Sequence, residues 1–179
     1  MEPTDASLVR QWQSGDGTAA AAIVARYTDA LGAVAFGVLG DFSLAEEAVQ
    51  ESYVRAARRI STLKDPGRLG AWLVGITRHV ALDMARRRMR RGEIPLHADV
   101  LAAPDNPGRD AARAEMAERL RAAVSGLPED QRDIFAMKYV AGMSYVRIGR
   151  TLGMSPDAVG QKLMRVRRKL QQELKEFRP

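Results

Sequence analysis

Apolar residues recur along this chain at helical spacing and strand-like alternation is nearly absent, so the pattern predicts an all-α protein. Thr4 or Asp5 can cap a short first helix carrying Leu8, Val9 and Trp12, which Ser14-Gly15 ends. Asp16 caps a second helix with the stripe Ile23, Tyr27, Leu31, Val34 and Val38. Gly32 and Gly37 weaken that helix by about 1 kcal/mol each relative to alanine, which we read as close approach of a neighbouring helix. After a break at Gly40-Asp41-Phe42, Ser43-Leu44-Ala45-Glu46 has the form of a capping box. The helix it opens runs to about Ile60. It turns Ala45, Ala48, Val49, Ser52 and Ala56 inward, and Glu46, Glu47, Gln50, Glu51 and Arg55 outward. Residues 61–68 form a loop around Asp65-Pro66-Gly67. A strong helix follows, with Leu69, Trp72, Leu73, Ile76, Val80 and Met84 on one face.

The period then fails. Residues 92–106 hold Pro95, Pro104 and scattered polar residues, and read as a flexible linker. Two helical domains are therefore expected, over 1–91 and 107–179, joined by the linker over 92–106. In the second, Asn106 or Asp105 caps a helix that starts at Pro107, turns Met116, Leu120 and Val124 inward and stops at Gly126. Leu127-Pro128-Glu129-Asp130 opens the next helix, with acids where the dipole favours them, and Ile134, Phe135 and Tyr139 as core contacts. Two helices joined by a short turn end the chain. Ser144 caps the first, Tyr145, Ile148 and Leu152 share one face, and Gly153 ends it. Ser155 and Pro156 start the second, whose stripe is Val159, Leu163, Val166, Leu170 and Leu174. Its other faces carry Gln161, Lys162, Arg165, Arg167, Arg168 and Lys169. A basic second helix in a helix–turn–helix suits a DNA major groove; an ordinary helical hairpin with a solvated basic face fits the same spacing.

Charge sharpens the choice. The formal net charge is +6 and the pI about 10, which favours an acidic partner, nucleic acid before membrane. The run Arg86-Arg87-Arg88-Met89-Arg90-Arg91 exceeds what helix capping requires, and phosphate binding accounts for it economically. The alternative is a solvated helix end. There is no cysteine, and only His79 and His97 could supply imidazole, so no metal site or cofactor is expected. No apolar run approaches the roughly 20 residues that span a bilayer, and the acidic N-terminus lacks a signal-peptide pattern. A soluble cytoplasmic protein without membrane insertion is the simplest expectation.

Four blocks, in order, resemble the bacterial RNA polymerase sigma factors of the extracytoplasmic-function (ECF) group. The first is an early Gly15-Asp16 turn. The stretch from Leu44 through Glu51 to Ala56 is similar to that family's region 2.2 helix. Ala71-Trp72-Leu73 through Arg78-His79 to Asp83, followed by arginines, is similar to its melting and −10-reading segment. Leu127-Pro128-Glu129-Asp130-Gln131-Arg132 through Tyr139, and then Gly142-Met143-Ser144-Tyr145, resemble the start of its −35-reading domain. The resemblance implies sigma region 2 over 1–91 and region 4 over 107–179. It implies that Glu47, Gln50, Glu51 and Arg55 dock on core RNA polymerase, at the β′ clamp helices, with the second domain on the β flap. Lys64, Arg68, Arg78, His79, Arg86, Arg87, Arg88 and Arg90 would act at the −10 element. Trp72 belongs to the core rather than to a base-stacking platform, and a flipped base would enter the loop at 60–68. In the last helix, Gln161, Lys162 and Arg165 would read −35 base edges, while Ser144, Ser155, Arg167 and Arg168 hold phosphates. Promoter DNA and an anti-sigma factor are the other implied partners.

The departures fall at the reading positions. His79 stands where the family usually has Asn, and Gly75 replaces a larger residue. Asp157-Ala158-Val159-Gly160-Gln161-Lys162 replaces a common Gly-Thr-Val-Lys-Ser-Arg, and Val146-Arg147 a common Glu-Glu pair. The rival function is a stand-alone helix–turn–helix transcription regulator, which would bind duplex DNA without polymerase, as a dimer with two half-sites. An enzyme is disfavoured, because no nucleophile–base pair, metal spacing or phosphate-cradling glycine loop is present.

Overall fold

The computed structural model describes residues 3–91, 115–116, 119–120 and 122–175, and among these there is no strand. Thr4 caps α1 (Asp5–Gln13), accepting a hydrogen bond from the Ser7 amide, and Gly15 at φ 94° turns the chain. Asp16 caps α2 (Gly17–Leu39) through both the amide and the hydroxyl of Thr18. Those two bonds hold its carboxyl below the ordinary carboxylate range. Gly40, left-handed at φ 67°, ends α2.

The helix α3 (Phe42–Arg59) is capped by Asp41, whose carboxylate accepts from the Leu44 amide at 3.0 Å. The capping box expected at Ser43 is therefore not used: Asp41, earlier in the chain, takes that free N–H and starts the helix sooner. Two short 3-10 turns, 60–62 and 66–68, lead into α4 (Leu69–Arg90). A helical stretch that includes 122–125 precedes α5 (Glu129–Tyr139). The helices α6 (Tyr145–Leu152) and α7 (Pro156–Lys175) then form the helix–turn–helix.

The central element is α2, with α1, α3, α4 and α5 all packed around it. A surrounded helix must be apolar on most sides. Here that makes it 23 residues long, with a mean hydropathy of 1.4 over an 18-residue stretch, long and apolar enough to cross a membrane by length and composition alone. The expectation that no run approaches that length fails for α2. Arg26 and Asp29 break the run to the eye, but its alanines and valines keep the mean high. In the fold Ile23, Tyr27, Leu31 and Val34 are buried core.

The inward set of α3 is buried as expected, and α4 buries Leu69, Leu73 and Val80 while Trp72, Ile76 and Met84 pack half-buried beside them. Gly37 does lie at a close approach, since a methyl there would sit 3.3 Å from the Ala136 Cβ of α5. Gly32 does not; nothing lies within 4 Å of the corresponding position.

The two predicted domains share one core. Ile134, Met137, Ile148 and Leu163 join the cluster built by α1–α4. A smaller cluster, Ala123, Leu127, Val166 and Leu170, lies within the second domain, with Leu120, Val124 and Phe135 packed on it. Met116 and Tyr139 are corrections: they are 42% and 47% exposed, and Ala136 and Met137 supply the inward contacts of α5. The expected linker and the start of the helix at Pro107 lie outside the described residues.

Candidate nucleic-acid interface

The helix–turn–helix is built as its sequence implies. The Ser144 hydroxyl accepts from the Arg147 amide at 3.1 Å, Gly153 ends α6 at φ 68°, and Ser155 accepts from the Ala158 amide at 3.2 Å. Both serines are thus occupied as caps. The turn is tight: a methyl on Gly149 would approach the Met154 carbonyl oxygen to 2.5 Å, so α6 and α7 meet through a residue without a side chain. Val159, Leu163, Val166 and Leu170 are buried, which fixes the rotation of α7 and turns Gln161, Met164, Arg165 and Arg168 to solvent. Lys162 is not free, because its ammonium pairs with Asp130 of α5. That hydrogen bond holds the Asp130 carboxyl below its ordinary range. Arg167 donates to the Tyr139 hydroxyl at 2.6 Å, which gives exposed Tyr139 a role at this surface rather than in the core.

In the first domain Lys64, Arg68, His79, Arg86, Arg87 and Arg90 are exposed, with Arg88 half-buried. They lie along the loop before α4 and on α4 itself, as expected. Arg78 is the exception. Its guanidinium reaches across to α5, donating from Nη1 to Glu129 at 3.2 Å and from Nη2 to Asp133. Asp133 is buried, and burial pushes its carboxyl above the ordinary carboxylate range even though Arg78 pulls the other way. A second cross-domain pair joins Arg147 of α6 to Asp29 of α2 at 2.9 Å. Neither pair was anticipated. The available signal was an acid, Asp133, on the inward stripe with Ala136 and Met137; such a position demands a cationic or hydrogen-bonding partner.

On α3, Glu47, Gln50 and Glu51 are exposed on one face, and Arg55 donates to Glu51 at 2.8 Å while facing Asp83 at 3.7 Å. Beside this face runs a groove of about 710 Å³ lined by Val24, Phe42, Val49 and Tyr53, with Val140 from the far end of α5. Exposed Phe42 stacks on Phe36 with ring centroids 4.2 Å apart. No group of three or more metal-ligating side chains occurs among the described residues.

Residues 23–91 match the family described as sigma-70 region 2, and residues 117–170 match sigma-70, region 4. The RNA polymerase sigma factor CnrH of Cupriavidus metallidurans is 32% identical over 95% of this chain and 95% of its own length. The probable RNA polymerase sigma factor RfaY of Xanthomonas campestris is 33% identical and the ECF sigma factor SigE of Mycolicibacterium smegmatis 31%, each over 85% of this chain. This chain spans only 39% and 60% of those two proteins. Among solved structures, CnrH in complex with the cytosolic domain of CnrY overlaps 97% of this chain and 99% of that one, with a TM-score of 0.57 and 26% identity. The chain belongs to the sigma-70 family of RNA polymerase sigma factors, in the ECF group.

Proposed function

We propose that this chain binds core RNA polymerase, directs it to a class of promoters and helps to open them, with region 2 over 1–91 and region 4 over 107–179. The observation that carries the proposal is the pairing, on one chain, of an exposed basic recognition helix with a basic α4 and a separate acidic face on α3. A protein with these three surfaces has two for nucleic acid and one that DNA would repel. The acidic face, Glu47, Gln50 and Glu51, then docks on polymerase at the clamp helices, and region 4 on the flap.

At −35, Gln161, Lys162 and Arg165 read base edges, since Arg and Lys suit guanine and Gln suits adenine. Arg167 and Arg168 hold phosphates, and the capped N-termini at Ser144 and Ser155 orient backbone amides toward them. At −10, the loop with Lys64 and Arg68 takes an unstacked base, with His79 nearby. Capture offsets the few kcal/mol of unstacking. The arginines Arg86, Arg87, Arg88 and Arg90 track the displaced strand. No ATP or cofactor enters, the factor is not itself an enzyme, and it works in the cytoplasm.

Two elements about 25 base pairs apart are separated by about 85 Å at 3.4 Å per pair. Domains packed on one shared core cannot span that distance, so promoter binding requires them to part. That dependence favours a polymerase-mounted factor over a stand-alone regulator. CnrH was solved with the cytosolic domain of CnrY, and by analogy we assign this chain an anti-sigma partner. The test is transcription from a genomic fragment library by core polymerase with and without the purified chain, with mapped transcript starts. A new set of starts sharing upstream motifs supports the reading. Duplex binding at two half-sites by the chain alone, with no new starts, would replace it with the stand-alone regulator.

A further inference from the structure

Where α1 and α2 face α6 there is a pocket of about 860 Å³ that neither DNA-reading surface uses. Its size falls within the range of about 300–1,000 Å³ found for small-molecule sites. From α2 it takes Ala22, Ala25 and Arg26, and from α6 it takes Arg147, Arg150 and Thr151. Its walls therefore carry three arginines against a single carboxylate, Asp5 of α1, among the described residues.

That carboxylate is already spent. Its Oδ1 accepts from Arg26 and its Oδ2 from the Tyr27 hydroxyl, each at 2.6 Å. Burial, and then the bond to Asp5, push the Tyr27 hydroxyl above its ordinary range, so it stays a donor. Arg26 also donates to the Pro3 carbonyl at 2.8 Å and is held in place. The two arginines of α6 are not held in this way. Arg150 is exposed, and its side chain has no partner among the described residues. Arg147 faces Asp29 at 2.9 Å, but the two side chains are 47% and 62% exposed. A pair so exposed contributes little, and Arg147 can turn from it to a stronger anion.

We propose that α1, α2 and α6 form a binding site for a small polyphosphate anion, inorganic or carried by a nucleoside, gripped by Arg147 and Arg150. The two lie at i and i+3 on one helix face, with Cβ atoms roughly 5–6 Å apart, so their guanidinium groups can take successive phosphates of one chain. The planar fork of each matches phosphate oxygens in pairs. Ala22 and Ala25 offer the rest of the ligand an apolar surface. The back of the pocket is closed by Gly70 of α4, where a methyl would lie 2.8 Å from Cε1 of Tyr27 and 3.0 Å from the Thr151 carbonyl carbon. The site thus takes residues from both domains and exists only while they touch. Anion binding and mounting on polymerase then oppose each other by equal factors; this consequence alone rests on the sigma reading.

The test is calorimetric titration of the full chain at constant ionic strength, with sodium tripolyphosphate, ATP and sodium sulfate as probes. Tripolyphosphate should bind saturably at one site per chain, and sulfate far more weakly. Tighter binding of ATP would identify a nucleotide as the ligand, and equal or weaker binding would identify the phosphate chain alone. Arg147→Ala and Arg150→Ala should each weaken tripolyphosphate by at least about tenfold, the loss of one charge-assisted contact. Arg58→Ala removes the same charge from the exposed side of α3 and should change nothing. Gly70→Ala alters no lining residue, yet should weaken binding by parting the walls. Melting curves confirm that each variant folds, and the two surface arginine variants carry the test if Gly70→Ala does not.

No saturable binding of tripolyphosphate, or an equal loss from Arg58→Ala, would overturn the site. Full affinity in a folded Gly70→Ala variant would overturn its construction from both domains. If Arg147→Ala and Arg150→Ala instead flattened the salt dependence of promoter binding and left tripolyphosphate unaffected, the arginines would serve DNA phosphates and the site would fall. None of these results touches the sigma reading; that fails separately, if the wild-type chain gives core polymerase no new transcript starts.

Discussion

Gly70→Ala is the sharpest probe of how the two domains meet. The added Cβ would lie 2.8 Å from Cε1 of Tyr27 and 3.0 Å from the Thr151 carbonyl carbon, with the carbonyl oxygen nearer still. Carbon atoms pack comfortably at about 3.5–4.0 Å, so α6 must retreat by roughly 1 Å or the Tyr27 ring must tilt. Tyr27 resists, because it is buried and its hydroxyl donates to Asp5 at 2.6 Å. A backbone carbonyl cannot rotate away as a side-chain tip could. Overpacking of this kind costs about 1–3 kcal/mol, which shifts a closed–open equilibrium by about 5- to 150-fold. Inside α4 the change costs nothing, since alanine favours a helix by up to about 1 kcal/mol over glycine. The assay is small-angle scattering alongside a melting curve. A compact chain of this length has a radius of gyration near 16 Å, and the variant should shift toward values above about 20 Å without a matching loss of melting temperature. An unchanged radius in a normally melting variant would refute the close approach of α4 and α6 in solution.

Four other outcomes are expected. Arg165→Ala should lose about 1–3 kcal/mol at one −35 position and relax preference there; an unchanged promoter profile would remove it from base reading. Charge reversal at Glu47 and Glu51 should weaken core polymerase binding in a co-sedimentation assay with the melting curve unaltered, and normal holoenzyme assembly would move the docking face elsewhere. Replacing Arg86, Arg87, Arg88 and Arg90 by alanine should flatten the salt dependence of promoter binding by about 0.7 for each phosphate of the displaced strand left unneutralised, whereas an unchanged slope would make the run a solvated helix end. Leu163→Ala should destabilise the chain by about 2–5 kcal/mol in urea unfolding; a drop under about 1 kcal/mol, below the range for a buried leucine, would show that α7 is not held through this residue.

The sequence disclosed most where one helix face carries the argument. The inward set of α3, the stripe of α7 and the caps at Thr4, Asp16, Ser144 and Ser155 all follow from local spacing, and the fold uses each of them. Local signals failed where two compete. Ser43 and Asp41 can each cap α3, and the earlier carboxylate captures the free amide. Tyr139 lies on an apolar spacing, yet its hydroxyl is drawn outward to Arg167. Least legible was whose core a residue faces. Periodicity says that Ile134 and Met137 are buried, but not that α2 of the other domain shares their cluster. The Arg78–Asp133 and Arg147–Asp29 pairs, 55 and 118 residues apart, have no local signature at all. At the DNA-reading surface the helix and its exposed side chains were readable. That Lys162 and Arg78 are already occupied by carboxylates was not.

The central claim is that two basic heads act on one promoter only when polymerase holds them apart. The most direct measurement is permanganate footprinting of unpaired thymines on a promoter found by transcript mapping, with chain alone, core alone and both together. The account predicts reactive thymines around −10 only with both present, lost when Glu47 and Glu51 are reversed in charge. Reactivity produced by the chain alone, or none with the reconstituted pair, would contradict it.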